Sequence, residues 1–442
     1  MAKKIKTSSQ FVCSDCGFES VSWYGKCPNC GLWNTMVEFK VSKNQKPLLR
    51  PANGGISAGQ AVKLSEIKTS VSGRLSTGIG ELDRVLGGGF VPGEVVLLAG
   101  EPGVGKSTLL LGLQNNLIVY VSGEESPDQL KVRADRWGIK KDNLLILSET
   151  QIEKVIDTVI EIKPEMVVID SIQTVWSDEI EGSPGSIGQV KYCTQKLIEL
   201  AKKTGISVIL VGQINKEGEI AGPMMLNHMV DCVLFLEGER FADLRLLRGL
   251  KNRFGPTDET GVFKMTDKGM EEVNNPSEIF MGARLDSPSS ARQGAVAACI
   301  LEGTRPVLVE IQALVTVSFT AIPRRVALGV DYNRLVLLSS VLQKVLNLPL
   351  YNQDIFVKIG GGFKVSEPAG DLGICLAILS SFKARPVKPQ TCVFGEVGLL
   401  GEIRRVNGEE KRIKEAKKLG FINILSSSNT SELSEAVKFL EK

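Results

Sequence analysis

Two groups of residues in this 442-residue sequence have types and spacing that could do chemistry. Gly100, Glu101, Pro102, Gly103, Val104, Gly105, Lys106, Ser107 and Thr108 satisfy the pattern G-x-x-x-x-G-K-[S/T]. They follow an apolar run, VVLLA, and open a helical pattern, STLLLGL. In that setting the glycines let backbone N–H groups wrap phosphate oxygens. Lys106 brings a positive charge to the β- and γ-phosphates, and the Ser107 hydroxyl ligates Mg²⁺. The expected ligands are ATP and Mg²⁺. The second group is Cys13-x-x-Cys16, ten residues, then Cys27-x-x-Cys30. Each C-x-x-C turn presents two thiolates to one ion, and two turns close a tetrahedral Zn²⁺ site. Four thiolates leave no open position, so this zinc is expected to be structural.

Further polar residues stand at the ends of apolar runs. Asp170 ends MVVI, where an acidic residue two strands from the phosphate loop can anchor Mg²⁺, or simply cap the next turn. Glu124 and Glu125 follow LIVYVSG, and one of them can polarise an attacking water. Gln213 ends ISVILVG and is either a γ-phosphate sensor or an ordinary polar strand end. Trp23, Tyr24, Lys26 and Trp33 beside the cysteines could stack on bases or form a small core.

Positioning these groups requires an α/β framework. Apolar runs at 94–100, 116–123, 165–170, 206–212 and 231–238 alternate with amphipathic helical patterns such as 152–162 and 188–205. Such alternation implies a mostly parallel sheet covered on both faces. The pattern breaks near Asn274, Asn275 and Pro276, and a second α/β segment follows. The expected division is a four-cysteine knuckle over 1–40, a linker over 41–64, an ATPase core over 65–274 and a second α/β domain over 275–442. The short segment 109–116 after the phosphate loop suggests a helix of only two or three turns.

Composition is ordinary for a globular chain, with 43% hydrophobic and 23% charged residues. The net charge is +3, but residues 1–68 hold ten Lys or Arg against four Asp or Glu. That local excess suits a polyanionic partner or a solvated tail. No apolar run approaches the roughly 20 residues of a membrane span. The opening MAKKIKTSSQ lacks an apolar core, so no secretory signal and a cytoplasmic location are expected. Cys193, Cys232, Cys299, Cys375 and Cys392 lie in apolar segments and read as small buried hydrophobes.

Taken together, residues 76–108, 120–126 and 167–174, the sequence KNRFG at 251–255 and the four-cysteine motif resemble the bacterial RadA (Sms) recombination family. That family is similar to the hexameric helicases of the RecA superfamily. The resemblance implies that Glu124 is the base that activates water and that Gln213 links the nucleotide to a DNA-facing loop. It also implies that Lys251 and Arg253 reach a neighbouring subunit's nucleotide. Without the resemblance, KNRFG would equally suit a basic hairpin turn. Loops 177–190 and 215–225 would line a DNA channel.

The C-terminal segment resembles the proteolytic domain of Lon, which uses a Ser–Lys pair. Here Asp371 occupies the place of the serine, and Glu409 or Glu410 that of the lysine, with Lys411 close by. A carboxylate cannot replace a serine alkoxide. A non-proteolytic scaffold for ring assembly is therefore expected. The basic residues from Arg404 to Lys418, interleaved with glutamates, read as a solvated helix face.

The expected function is a DNA-dependent ATPase that translocates on single-stranded DNA and promotes branch migration during homologous recombination and repair. The expected partners are single-stranded and branched DNA, a RecA-type recombinase and further copies of the chain in a homo-hexamer, with no membrane. The alternatives are an ATP-dependent Lon-like protease and a nucleotide-switched oligomeric binding protein.

Overall fold

The computed structural model describes residues 8–13, 19–29, 31–33, 35–41, 63, 73–114, 117–139, 142–213, 223–238, 243–281, 292–360 and 364–441. Cys16, Cys30, most of the 41–64 linker and most of the 215–225 loop lie outside these residues. The chain divides into one unit of residues 1–238 and 243–272 and another of 239–242 and 273–442.

The first unit opens with a small antiparallel sheet. Strand β1 (Ser8–Cys13) lies between β2 (Glu19–Ser20) and β3 (Met36–Val41). Cys13 pairs with Met36, so the first C-x-x-C turn leaves from the end of this hairpin-like pairing.

A nine-stranded sheet follows. In chain order its elements are α1 (Gly80–Leu86), β4 (Val95–Gly100), α2 (Lys106–Leu111), β5 (Ile118–Ser122), α3 (Pro127–Arg136) and β6 (Leu144–Leu147). Next come α4 (Ile152–Ile162), β7 (Met166–Asp170), α5 (Ile187–Thr204), β8 (Ser207–Gln213), α6 (Pro223–Met229) and β9 (Cys232–Gly238). Three antiparallel strands close the run: β10 (Leu244–Asn252), β11 (Thr260–Thr266) and β12 (Gly269–Glu272). The strand order is β12-β11-β10-β9-β4-β8-β7-β5-β6. The run from β9 to β6 is parallel throughout.

The central strands are apolar on both faces because both faces are covered. Val96, Leu98, Tyr120 and Val168 pack with Leu82, Leu109 and Leu130 on one side. Val95, Leu97, Val119 and Val167 pack with Val155, Val159, Leu197 and Leu200 on the other. Two helices start at side-chain caps, α3 at Ser126 and the helix from Tyr332 at Asp331. At α3, Ser126 and Gln129 form a reciprocal capping box, with Pro127 in the first turn. Helix α2 is shorter than the expected two or three turns, since its six residues fall short of two turns. Just past it, the Gln114 N–H is given to the Thr77 carbonyl at 2.7 Å, which draws the chain away.

The second unit carries α7 (Pro276–Met281), β13 (Ala295–Glu302), β14 (Arg305–Val317), β15 (Arg325–Leu328), α8 (Tyr332–Val345) and β16 (Gln353–Ile359). It continues with α9 (Asp371–Lys383), β17 (Thr391–Val393), β18 (Glu396–Val397), β19 (Ile403–Arg404), α10 (Glu409–Lys418) and β20 (Asn423–Leu425). Its main sheet has the order β15-β16-β14-β13-β17-β20 and mixes parallel with antiparallel pairs. Nearly all of α9 is buried, as its continuous apolar sequence requires. Among the described residues, no helix is long and apolar enough to cross a membrane.

Candidate functional site

The phosphate loop runs from the C-terminal end of β4 into α2. Gly103 and Gly105 have φ of +77° and +112°, backbone conformations open to glycine and strained for other residues. Gly100 is required for a different reason. A Cβ there would lie 2.6 Å from the Leu236 carbonyl oxygen on β9. The Arg245 Nε on β10 donates to the Val104 carbonyl at 2.9 Å and steadies the loop from the side. Glu101 and Pro102 are exposed at its tip.

Lys106 is buried, and its Nζ donates to the carbonyls of Gly100 at 2.9 Å and Glu101 at 3.0 Å. Burial lowers its pKa, opposed by the nearby carboxylates of Asp170 and Glu124. The loop therefore holds a cation beside two carboxylates, at a turn lined with backbone donors. That donor set fits a phosphate chain with a divalent cation.

Strand order explains the meeting of groups far apart in sequence. β8 lies beside β4, then come β7 and β5, so Gln213, Asp170 and Glu124 all emerge at the strand ends next to the loop. The Glu124 Oε1 accepts from Ser171 Oγ at 2.8 Å and from Gln213 Nε2 at 3.0 Å. Glu125 is engaged elsewhere. Its carboxylate pairs with Arg133, whose other nitrogen reaches Thr108 Oγ1 at 3.4 Å. Arg133 also stacks over Trp137, 5.1 Å from the ring centroid. The two adjacent glutamates thus have different surroundings, and Glu124 is the one tied to Gln213.

Motif reading missed two residues here. Ser171 is completely buried and follows Asp170 directly. Tyr120 is buried in mid-β5, and its hydroxyl donates to Asp170 Oδ2. Burial and the Asp170 charge raise the Tyr120 pKa far above the usual phenol value, so it stays a proton donor. The one sequence signal for Tyr120 was a hydroxylated ring in an otherwise aliphatic strand.

Lys251 and Arg253 lie at the other end of the sheet. The Lys251 Nζ donates to the carbonyls of Asn227 at 2.6 Å and Val230 at 2.8 Å. Arg253 Nη1 is 3.4 Å from Asp231 Oδ1, and its N–H donates to the Asp231 carbonyl. Asp231 in turn accepts from the Val95 N–H, at the start of β4. The phosphate loop begins at the other end of that strand, about 17 Å away at roughly 3.3 Å per residue. The reading of KNRFG as a turn after a strand needs adjusting, since Lys251 and Asn252 belong to β10 itself.

The loop expected at 177–190 is pinned rather than loose. Gln189 Nε2 donates to the carbonyls of Ser177, Ile180 and Gly182, and its Oε1 accepts from the Ser177 N–H. Residues from Ile187 onward already belong to α5.

In the cysteine unit, Cys13 and Cys27 are buried and share an apolar cluster with Met36. The Cys27 carbonyl accepts from the Gly31 N–H at 2.9 Å, the turn that a metal knuckle needs, with Gly31 at φ +75°. Two buried thiols in one cluster fit a metal centre. Trp23, Tyr24 and Trp33 are exposed, which rules against their forming a core. The five scattered cysteines are all buried. Burial pushes the Cys193 thiol up to about 12.

In the second unit, Asp371 opens α9 and accepts from Arg334 Nε at 2.5 Å and from the Val397 N–H at 3.4 Å. Burial raises its pKa, opposed by Arg334. Glu409 accepts from Ser426 Oγ at 2.7 Å and from Ser428 Oγ. The two positions are held by separate partners, and neither is a serine or a lysine. The basic helix is not uniformly solvated as expected. Arg412 is fully buried, in a bidentate pair with Glu367, both N–O distances being 2.8 Å.

Comparison with known proteins agrees with this geometry. A family profile described as an AAA domain matches residues 61–219. One described as a rubredoxin metal binding domain matches residues 11–38, and one for subunit ChlI of Mg-chelatase matches 342–429. DNA repair protein RadA of Bacillus subtilis (strain 168) is 49% identical over 429 residues, covering 94% of this chain and 92% of its own. DNA repair protein RadA of Listeria monocytogenes is 46% identical over 433 residues, covering 96% and 93%. The crystal structure of the RadB recombinase matches 45% of this chain and 100% of its own, with 28% identity and a TM-score of 0.37. A P-loop core matched by an AAA-domain profile, a metal-ribbon match before it and identity along nearly the whole length lead to one conclusion: the chain belongs to the RadA family of DNA repair proteins.

Proposed function

We propose that the chain is a DNA-dependent ATPase that translocates on single-stranded DNA as a homo-hexamer and promotes branch migration alongside a RecA-type recombinase. The observation that carries this reading is the separation of Lys251 and Arg253 from Lys106 by the length of β4. A lysine or arginine side chain spans far less than about 17 Å, so neither can serve its own subunit's nucleotide. In a head-to-tail ring each subunit's finger can serve the next subunit's nucleotide. Hydrolysis would then depend on assembly, as with arginine fingers supplied in trans.

Bound Mg²⁺ would neutralise phosphate charge at the site of Ser107 and Asp170. The chain's own residues do the rest. Lys106 leaves its carbonyl contacts for the phosphates. Glu124 accepts the proton of the attacking water, oriented by Ser171 and Gln213. Gln213 leads directly into the segment from 214, so its hold on Glu124 ties the chemistry to a loop that would meet DNA. Zinc held by Cys13, Cys16, Cys27 and Cys30 would brace a ribbon whose exposed Trp23, Tyr24 and Trp33 can stack on bases. The C-terminal unit is read as a scaffold, because Asp371 and Glu409 cannot form an acylating pair.

The test is ATP hydrolysis by the full chain with and without single-stranded DNA, for wild type and Lys251→Ala. Stimulation by DNA in wild type, lost in the variant, supports the reading. Turnover indifferent to both DNA and the substitution contradicts it.

A further inference from the structure

Asp170, one of the two residues read as the Mg²⁺ pair, is held by a side chain that has no role in the reading so far. Tyr120 lies on β5, in register with Val168 of β7, two residues before the Ser122–Asp170 pairing. Its ring is packed with Leu98, Leu109 and Val168, so the ring alone is accounted for by the core. The hydroxyl is not. It donates to Asp170 Oδ2.

A phenol O–H donated to a carboxylate engages one of its two oxygens and fixes its orientation. Asp170 is then held by one oxygen, and its other oxygen is left for the water shell of the ion.

We infer that Tyr120 is a positioning residue for the nucleotide's Mg²⁺, fixing the Asp170 carboxylate through one oxygen. The inference rests on the reading of Ser107 and Asp170 as the Mg²⁺ pair. Partners one step removed from a metal are generally worth 10- to 100-fold, roughly, in metal affinity when lost.

The test is binding of a fluorescent ADP to the full chain, titrated with Mg²⁺ and repeated in EDTA. Tyr120→Phe keeps the ring and removes the hydroxyl. The Mg²⁺ concentration that half-saturates the tightening of ADP binding should rise about tenfold, with binding in EDTA unchanged. In an Asp170→Asn background the same substitution should add little, because the carboxylate that Tyr120 holds is already gone. Unchanged Mg²⁺ dependence in Tyr120→Phe, beside a clear shift in Asp170→Asn, overturns the role of Tyr120 alone. Equal weakening with and without Mg²⁺ makes Tyr120 merely structural and also overturns it. No shift in Asp170→Asn or Ser107→Ala removes the Mg²⁺ pair itself.

Discussion

Gln213 at the end of β8 donates a 3.0 Å hydrogen bond to Oε1 of Glu124, although β7 stands between the strands that carry them. The contact crosses the sheet edge beside Lys106. Glu124→Gln should therefore lower kcat for ATP by roughly 100-fold or more, with little change in nucleotide affinity, as loss of a general base does. Gln213→Ala should leave basal turnover measurable and lower its stimulation by DNA. Glu125→Gln should instead loosen the Arg133 pairing and spare kcat. Steady-state kinetics on the three variants check this, and an equal loss in Glu125→Gln would contradict it.

Glu94 is buried just before β4, with Val91 N–H on one oxygen and the other without a hydrogen-bond partner among the described residues. Burial raises its pKa to about 7, with Asp231 adding to the effect and Arg74 and Lys202 opposing it. A carboxyl whose folded pKa is raised favours folding below its unfolded value. That contribution falls away as pH rises through the folded value. Stability should decline between about pH 4.5 and 7 from this group, by up to about 3 kcal/mol. Glu94→Gln should flatten that decline and be more stable than wild type at pH 8, measured by urea unfolding. A variant with the wild-type pH profile would contradict the assignment.

Strand and helix periodicity made most of the nine-stranded framework legible, because buried parallel strands are continuous apolar runs and their helices have polar faces. Asp170 and Gln213 were legible as polar residues ending such runs. What stayed hidden depended on which strands become neighbours. The sequence 120–126 does not say that Tyr120 will face Asp170, nor that Glu125 will turn to Arg133. Ser171 looked like any turn serine. Arg412 was misread because mixed charge on a helix says nothing of the single position that faces inward, toward Glu367.

Removing one partner of the buried Arg412–Glu367 pair leaves the other charge uncompensated. Arg412→Ala should cost about 3–5 kcal/mol of stability. Thermal melting of the full chain reads this directly, and a melting temperature like that of wild type would show that the site relaxes without loss.

The C-terminal unit should show no peptidase activity. Casein should survive incubation with the full chain and ATP, since Asp371 is held by Arg334 and Glu409 by Ser426 and Ser428. Degradation that needs ATP and is abolished by Asp371→Ala would overturn this and revive the protease alternative.

Zinc should copurify stoichiometrically and be released when the thiols are modified. Release should alter the fluorescence of exposed Trp23 and Trp33 while DNA-independent ATP turnover persists. Intact turnover with no metal ever detected would leave the cysteine unit without its proposed brace.

Subunit sharing of the ATP site is tested most directly by mixing two inactive variants. Lys106→Ala lacks a working phosphate loop but keeps its finger, and Lys251→Ala has the reverse defect. Co-assembled in equal amounts with single-stranded DNA, about a quarter of the interfaces in a head-to-tail ring should pair an intact loop with an intact finger. ATP hydrolysis should reappear in the mixture. Mixtures that co-assemble yet stay as inactive as their components would contradict a site built from two subunits.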